Sequence, residues 1–474
     1  MRPLETALLG AVLIALASWL AAGWRPAWLR GWPAAALAFL ALHLGLEHYR
    51  WQMVPAYALT GVLALLALTA REVRPARPPA LWRRLLAGLG GLALALAALA
   101  PPVVFPVPRL PQPGGPYPVG TTSFHWTDAA RAEVYTDAPD DQREIMVQLW
   151  YPAAPGPGAE RAPWMERLDV AGPTIARYIG LPDFVLDHTG LIRLNAYQDA
   201  PLAAAEARYP VVLYSHGWNG FRTVNVDQLE ALASHGYIVA SIDHTYGAMI
   251  TVFPDGRVAL NRPDALPDDA LPEAEAQALR ERLAGVYAAD LSFVLDQLER
   301  LEAGGLTSPS VALAGRLDLA RVGVFGHSTG GGAAVLMCAQ DARCRAGAGL
   351  DAWLLPVPDT TLAAGLDQPF LFLWSEVWST ARNDARFATL APNLRGDYLS
   401  ATVLGTRHYD FTLVPLLSPL APALGLKGPL DGTRGMRIVD DYLVAFFDQA
   451  LQGQPAALLA GPSDAYPEVV YELP

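Results

Sequence analysis

The chain has 474 residues, enough for two to four compact units, and a formal net charge of −12. Its 52% hydrophobic content and mean hydropathy of +0.23 reflect an Ala/Leu-rich front end reaching to about Phe105. That front end carries nine Arg against Glu5, Glu47 and Glu72, a balance of +6, so the rest carries −18; with Lys427 the only lysine, no basic cluster is left to bind a phosphate backbone, and nucleic acid is excluded as a partner.

Four apolar stretches open the chain: Thr6–Trp24, Gly31–Leu46, Met53–Ala70 and Leu85–Phe105. A bilayer core needs about 20 helical residues. The first, third and fourth stretches meet that length, whereas the second is short and holds His43, which reads as a packing residue. Trp24, Trp32, Trp51 and Trp82 lie near the stretch ends, where amphipathic rings prefer the interface. The expectation is a four-helix transmembrane region over residues 1–105, with a Pro-rich linker over 106–118. A cleaved signal peptide is the competing reading of the first stretch, but it leaves three further spans behind it. Arg25 and Arg30 sit in one loop; Arg71, Arg74, Arg77, Arg83 and Arg84 sit in another. Excess Arg marks the cytoplasmic side. The N-terminus and everything after Phe105 are therefore expected outside the cytoplasm, with the plasma membrane as the site.

From residue 119 the pattern alternates strand and helix. Glu144–Tyr151, Tyr209–Ser215, Tyr237–Asp243, Arg321–Phe325, Ala346–Leu350, Pro369–Ser375 and Tyr398–Leu404 read as strands. Gln228–His235, Glu273–Glu302, Gly332–Ala339 and Met436–Leu451 read as helices. Buried apolar strands separated by helices imply a mostly parallel sheet covered on both faces, an α/β class with the α/β-hydrolase fold as the specific expectation. Cys338 and Cys344 are too few for a disulfide framework or a cysteine zinc site. One bridge between them and two buried thiols both fit.

Gly326-His327-Ser328-Thr329-Gly330 follows a strand directly and leads into a small-residue helix start, as a nucleophile elbow requires. A serine hydroxyl needs a base to take its proton. In this fold the order is Ser, acid, His, and His408 is the only one of nine histidines after Ser328. The acid that orients the base is either Asp351 or Glu376, both at strand ends, and local pattern leaves the choice open. The oxyanion hole needs two backbone amides. Thr329 and, in the turn Ser215–Gly220, Trp218 are the candidates, with His216 bracing that turn. No metal or other cofactor is expected: the chain has no H-E-x-x-H and no Asp-rich calcium loop, and the acidic run Asp264–Glu275 reads as a solvated loop and helix start.

With these pieces in order, the chain resembles the platelet-activating-factor acetylhydrolase family, including its lipoprotein-associated phospholipase branch. The resemblance runs through GPYPVG (Gly115–Gly120), LWYPA (Leu149–Ala153), YSHGWNGFRT (Tyr214–Thr223), LASHGYIVASIDH (Leu232–His244), GHSTGG (Gly326–Gly331), GLDAW (Gly349–Trp353) and QPFLFLWSE (Gln368–Glu376), and covers about residues 115–452. It implies Asp351 as the acid and a calcium-independent hydrolase of short or oxidised acyl chains on phospholipids such as 1-alkyl-2-acetylglycerophosphocholine. The chain departs from the family pattern at Thr329, where a Phe is usual, at the bulky Trp218, and in its transmembrane front end. A general carboxylesterase or cutinase-like polyester hydrolase, with Glu376 as acid, is the alternative enzyme. An inactive membrane receptor or scaffold is the alternative of another class, which the complete Ser/Asp/His set argues against. The segment Arg161–Leu194, with Trp164, Met165 and Phe184, reads either as a lid shaping the acyl pocket or as an insertion packed on the sheet.

Overall fold

Apolar runs rich in Ala and Leu form helices because these side chains lose little freedom there and bury no polar group. The computed structural model, which describes residues 1–21, 31–69, 80–266, 271–306, 308 and 310–471, starts with four of them: α1 (Pro3–Leu20), α2 (Trp32–Leu46), α3 (Val54–Thr69) and α4 (Leu81–Val104). Three are long and apolar enough to cross a membrane: Pro3–Leu20, Trp51–Thr69 and Leu81–Val104; α2, with 15 residues, is shorter. The fourth helix begins earlier than its apolar stretch and takes Arg83 and Arg84 into its first turn. Trp24, Arg25, Arg30, Arg71, Glu72, Arg74 and Arg77 lie outside the described residues.

These helices form one compact unit, Met1–Arg109, together with Leu181–Ile192 and Leu417–Leu420. Its buried Glu5 and Arg50 are paired with each other, because an unpaired charge in apolar surroundings is expensive. Arg50 donates from Nη1 to both Glu5 carboxylate oxygens at 2.9 and 3.0 Å, and also reaches the Phe105 carbonyl. The start of α1, the α2–α3 turn and the end of α4 therefore meet. His43 is not isolated: it is fully buried between Glu47 Oε2 at 3.0 Å and the Tyr57 hydroxyl at 2.6 Å. The segment Leu181–Ile192, part of the expected lid, packs here: the Trp51 indole donates to the Val185 carbonyl at 3.2 Å and meets Phe184 edge-on.

The second unit is Leu110–Gly180, Arg193–Leu416 and Ala421–Pro474. Its strands are β1 (Val119–Ala132), β2 (Gln142–Pro152), β3 (Arg161–Pro163), β4 (Arg193–Gln198), β5 (Tyr209–Ser215), β6 (Ile238–Asp243), β7 (Ile250–Val252), β8 (Val258–Leu260), β9 (Leu317–His327), β10 (Cys344–Leu350), β11 (Phe370–Val377), β12 (Tyr398–Arg407) and β13 (Val469–Tyr471). All but β7 and β8 form one sheet, in the order β13-β12-β11-β10-β9-β5-β6-β2-β1-β4-β3. From β6 through β5, β9, β10 and β11 to β12 every pairing is parallel. Those central strands are buried on both faces, which is why they read as continuous apolar runs. Helices α5 (Leu168–Tyr178), α6 (Val226–Ser234), α7 (Glu273–Glu302), α8 (Thr329–Gln340) and the closing helix Gly432–Gln452 belong to this unit. The sequence reading places no strand at β1, whose Thr- and Ser-containing alternation is weaker than the apolar runs. Cys338 and Cys344, one at the end of α8 and one opening β10, form a disulfide.

One buried ion cluster ties strand to helix. Arg143 on β2 bonds Asp290 on α7 through Nη2 and Nε, at 2.6 and 3.0 Å, and Glu133 through Nη1 at 2.8 Å. Removing one partner of a buried pair strands the other, at a cost of about 3–5 kcal/mol. Asp290→Ala is therefore expected to lower the thermal midpoint sharply, and Arg143→Met added to it should restore part of the loss. A double variant no more stable than Asp290→Ala would refute the stranded-charge account.

Candidate active site

β9 ends at His327, α8 begins at Thr329, and Ser328 between them takes φ 55° and ψ −120°. A non-glycine residue holds such a conformation only when its surroundings impose it. Here the Ser328 amide donates to the Leu350 carbonyl at 2.9 Å, and its own carbonyl accepts from the Trp353 and Gly331 amides, each at 2.9 Å. Gly330 allows the turn to press against β5, since a Cβ there would lie 2.0 Å from the Ser215 carbonyl oxygen.

β10 ends one residue before Asp351, which also adopts positive φ, at 46°. Its carboxylate is fully buried. Oδ1 accepts from the Ser375 amide at 2.6 Å, and Oδ2 accepts from the Ser375 hydroxyl at 2.6 Å and from His408 Nδ1 at 2.9 Å. His408 follows β12 at the start of a short 3-10 turn. Its ring stacks on Trp378 at 4.5 Å, and the His327 ring lies 4.3 Å away. His327 Nε2 donates to the His408 carbonyl at 3.1 Å, which fixes that loop. Burial pushes Asp351 up to about 7, against the pull of the Ser375 donors. Burial also pushes His408 down to about 3, because desolvation disfavours the charged ring.

Ser328 and Asp351 thus stand at the ends of the adjacent strands β9 and β10, and His408 follows β12, two strands beyond β10. Glu376 is not brought to His408: it is exposed, accepts from the Gly405 amide at 2.5 Å, and lines an open groove of about 850 Å³ with Trp374, Phe387 and Tyr398. Trp218 follows β5, half-buried; its neighbours Asn219 and Gly220 donate to the Gly247 and Gly217 carbonyls. The Thr329 amide belongs to the first turn of α8, where amides lack intrahelical partners. Of the remaining expected lid residues, Trp164 is buried and donates from its indole to the Thr223 carbonyl at 3.0 Å, and Met165 lines a small cavity with Phe221 and Arg222. Ser375, His327 and Trp378 went unnoticed in the sequence. Only Ser375 had a signal, as a hydroxyl at a strand end beside a candidate acid.

Among the described residues, His327, Asp351 and His408 are the one group of three such side chains whose donor atoms converge, within 4.8 Å. Both Asp351 oxygens, His327 Nε2 and His408 Nδ1 are already engaged in hydrogen bonds with one another or with Ser375 and the His408 carbonyl. An imidazole oriented by a buried carboxylate can drive acyl transfer when a serine hydroxyl comes within its reach.

Residues 103–455 match the family described as platelet-activating factor acetylhydrolase, isoform II. The chain is 24% identical to the platelet-activating factor acetylhydrolase of Gallus gallus over 374 residues, covering 72% of this chain and 84% of that protein. It is 26% identical over 404 residues to an Arthroderma benhamiae protein named "Probable 1-alkyl-2-acetylglycerophosphocholine esterase", covering 76% and 93%. Among solved structures it is similar to a ferulic acid esterase from Streptomyces cinnamoneus, with a TM-score of 0.62, 30% identity, and coverage of 77% of this chain and 99% of that one.

Because Asp351 must be ionised to hold an imidazolium, kcat/KM is expected to fall as pH drops through about 7. Ser375 lowers the Asp351 pKa, so Ser375→Ala should shift this acid limb to higher pH. A pH–rate profile whose acid limb stays where it is in wild type would remove Ser375 from the site.

Proposed function

The chain belongs to the platelet-activating factor acetylhydrolase isoform II family and is a serine ester hydrolase, and from that premise we propose that it removes short acyl chains from phospholipids of the 1-alkyl-2-acetylglycerophosphocholine kind. Ser328 Oγ attacks the acyl carbonyl as His408 takes its proton, and Asp351 holds Nδ1–H and stabilises the imidazolium. The Thr329 and Trp218 amides receive the oxyanion. His408 then returns the proton to the departing lysophospholipid oxygen, and water repeats the sequence to release the acid. The observation that carries this reading is the 2.9 Å contact of His408 Nδ1 with a buried Asp351 one strand from the Ser328 elbow. The names of the relatives in Gallus gallus and Arthroderma benhamiae supply the substrate class. The similarity to a ferulic acid esterase favours a second reading, a carboxylesterase acting on soluble esters.

A fluorophosphonate probe should label wild type and not Ser328→Ala. Asp351→Asn should lower kcat by about 10⁴, whereas Glu376→Gln should have little effect; the reverse order would move the acid to Glu376. Hydrolysis of a 2-acetyl phosphocholine in preference to its long-chain counterpart and to a feruloyl ester supports the phospholipid reading, and the opposite preference replaces it with the carboxylesterase.

The same reading divides the chain into a four-helix membrane region over 1–105, a linker over 106–118 and a catalytic domain over 119–474, with the catalytic domain outside the cytoplasm and the plasma membrane as its site. Three observations support it. The ends of α1, α2 and α4 meet at Arg50, as they do when four helices run up and down. The Arg-rich loops fall on one side of such a bundle. The Cys338–Cys344 disulfide suits an oxidising compartment. A reporter fused after Pro474 should be active outside the cytoplasm. Cytoplasmic activity would sink this topology, leaving either four spans in the reverse orientation or three spans from an outside N-terminus.

A further inference from the structure

The turn after β5 contains a histidine whose two ring nitrogens are both committed. His216 is fully buried. Its Nδ1 lies 2.7 Å from the Gly217 carbonyl oxygen, and its Nε2 accepts from the His244 amide at 3.1 Å. An acceptor on one side and a donor on the other admit a single form, neutral with the proton on Nδ1. Burial, with His244 alongside, holds the ring well below the ordinary histidine range. The Gly217 carbonyl therefore receives two donors, His216 Nδ1–H and the Gly220 amide at 2.9 Å. In a trans peptide C=O and N–H point in opposite directions, so holding that oxygen also aims the Trp218 N–H. Gly217 abuts the nucleophile: a Cβ there would stand 3.0 Å from Ser328 Cβ and 3.2 Å from His327 Nδ1.

His216 is in turn held from behind. The His244 ring donates from Nδ1 to Asp290 at 2.9 Å, receives the Ser215 hydroxyl on Nε2 at 2.8 Å, and stacks on Tyr287 at 3.8 Å. Ser215, His244 and Asp290 thus form a second Ser/His/acid row, wholly buried and closed to substrate. We propose that this buried row is a scaffold and that His216, anchored on it, is a positioning residue of ester hydrolysis: it holds the Gly217–Trp218 peptide so that the Trp218 amide meets the oxyanion. The inference rests on Trp218 being an oxyanion donor.

Three replacements separate the two ring contacts. His216→Asn keeps a donor near Nδ1, His216→Gln keeps a polar group near Nε2 only, and His216→Ala keeps neither. Loss of an oxyanion donor predicts a fall in kcat of about 100-fold for Gln and Ala, an at least roughly tenfold recovery in Asn, and KM within about threefold of wild type. Affinity for a trifluoromethyl ketone, which mimics the tetrahedral adduct, should fall in step with kcat/KM. Equal kcat in Asn and Gln variants that melt as wild type does overturns the proposal, as does a loss confined to KM; this pair decides even if His216→Ala does not fold. Incorporating Trp218 as its α-hydroxy acid, which replaces the N–H by oxygen, tests the underlying reading separately. An unchanged kcat there removes Trp218 as a donor. A loss there beside wild-type rates in the His216 variants removes only the positioning role.

Discussion

The site depends on one strained backbone turn. Ser328 sits at φ 55°, ψ −120°, a conformation that costs a non-glycine residue about 1–3 kcal/mol and persists only where neighbours over-determine it. Those neighbours are the same groups that deliver the other site residues. The Ser328 amide is bonded to the last residue of β10, and Asp351 follows that residue at once, itself at positive φ. The Trp353 amide returns to the Ser328 carbonyl, so the two strand ends interlock. Placing the serine therefore also places the acid, and Ser375 on the next strand receives that acid with two donors.

The parallel core was readable because its strands are short, apolar and separated by long helices; Tyr209–Ser215 and Glu273–Glu302 were delimited from pattern alone. The elbow was readable because a strand, a glycine-flanked serine and a small-residue helix start coincide. Pattern could not choose between Asp351 and Glu376, since both stand at strand ends. In the structure they differ in burial: Asp351 is enclosed and bonded to His408 Nδ1, while Glu376 is exposed on the Gly405 amide. Trp378 and His327 were invisible for another reason. Each reaches His408 across the fold, through ring stacking or a backbone carbonyl, and such contacts leave no periodic trace.

Polar groups in the N-terminal unit follow a related logic. A histidine within an apolar stretch looks solitary in sequence, yet His43 has an acid four residues away and a tyrosine hydroxyl on the next helix. Sequence distance hides these partners because helices return them to each other. The same holds for Leu181–Ile192, which belongs by position to the catalytic half and by packing to the helical unit.

The Arg50 cluster also has a temporal side. Glu5 is made 45 residues before the arginine that neutralises it, and the Phe105 carbonyl that completes the arginine's shell comes 55 residues later still. Until Arg50 arrives, Glu5 has Arg2 as its early counter-charge. The helical unit thus closes its electrostatic circuit only as its last helix emerges, immediately ahead of the catalytic half. A chain cut between Arg50 and Phe105 would leave the Arg50 guanidinium without the Phe105 carbonyl it reaches in the complete unit.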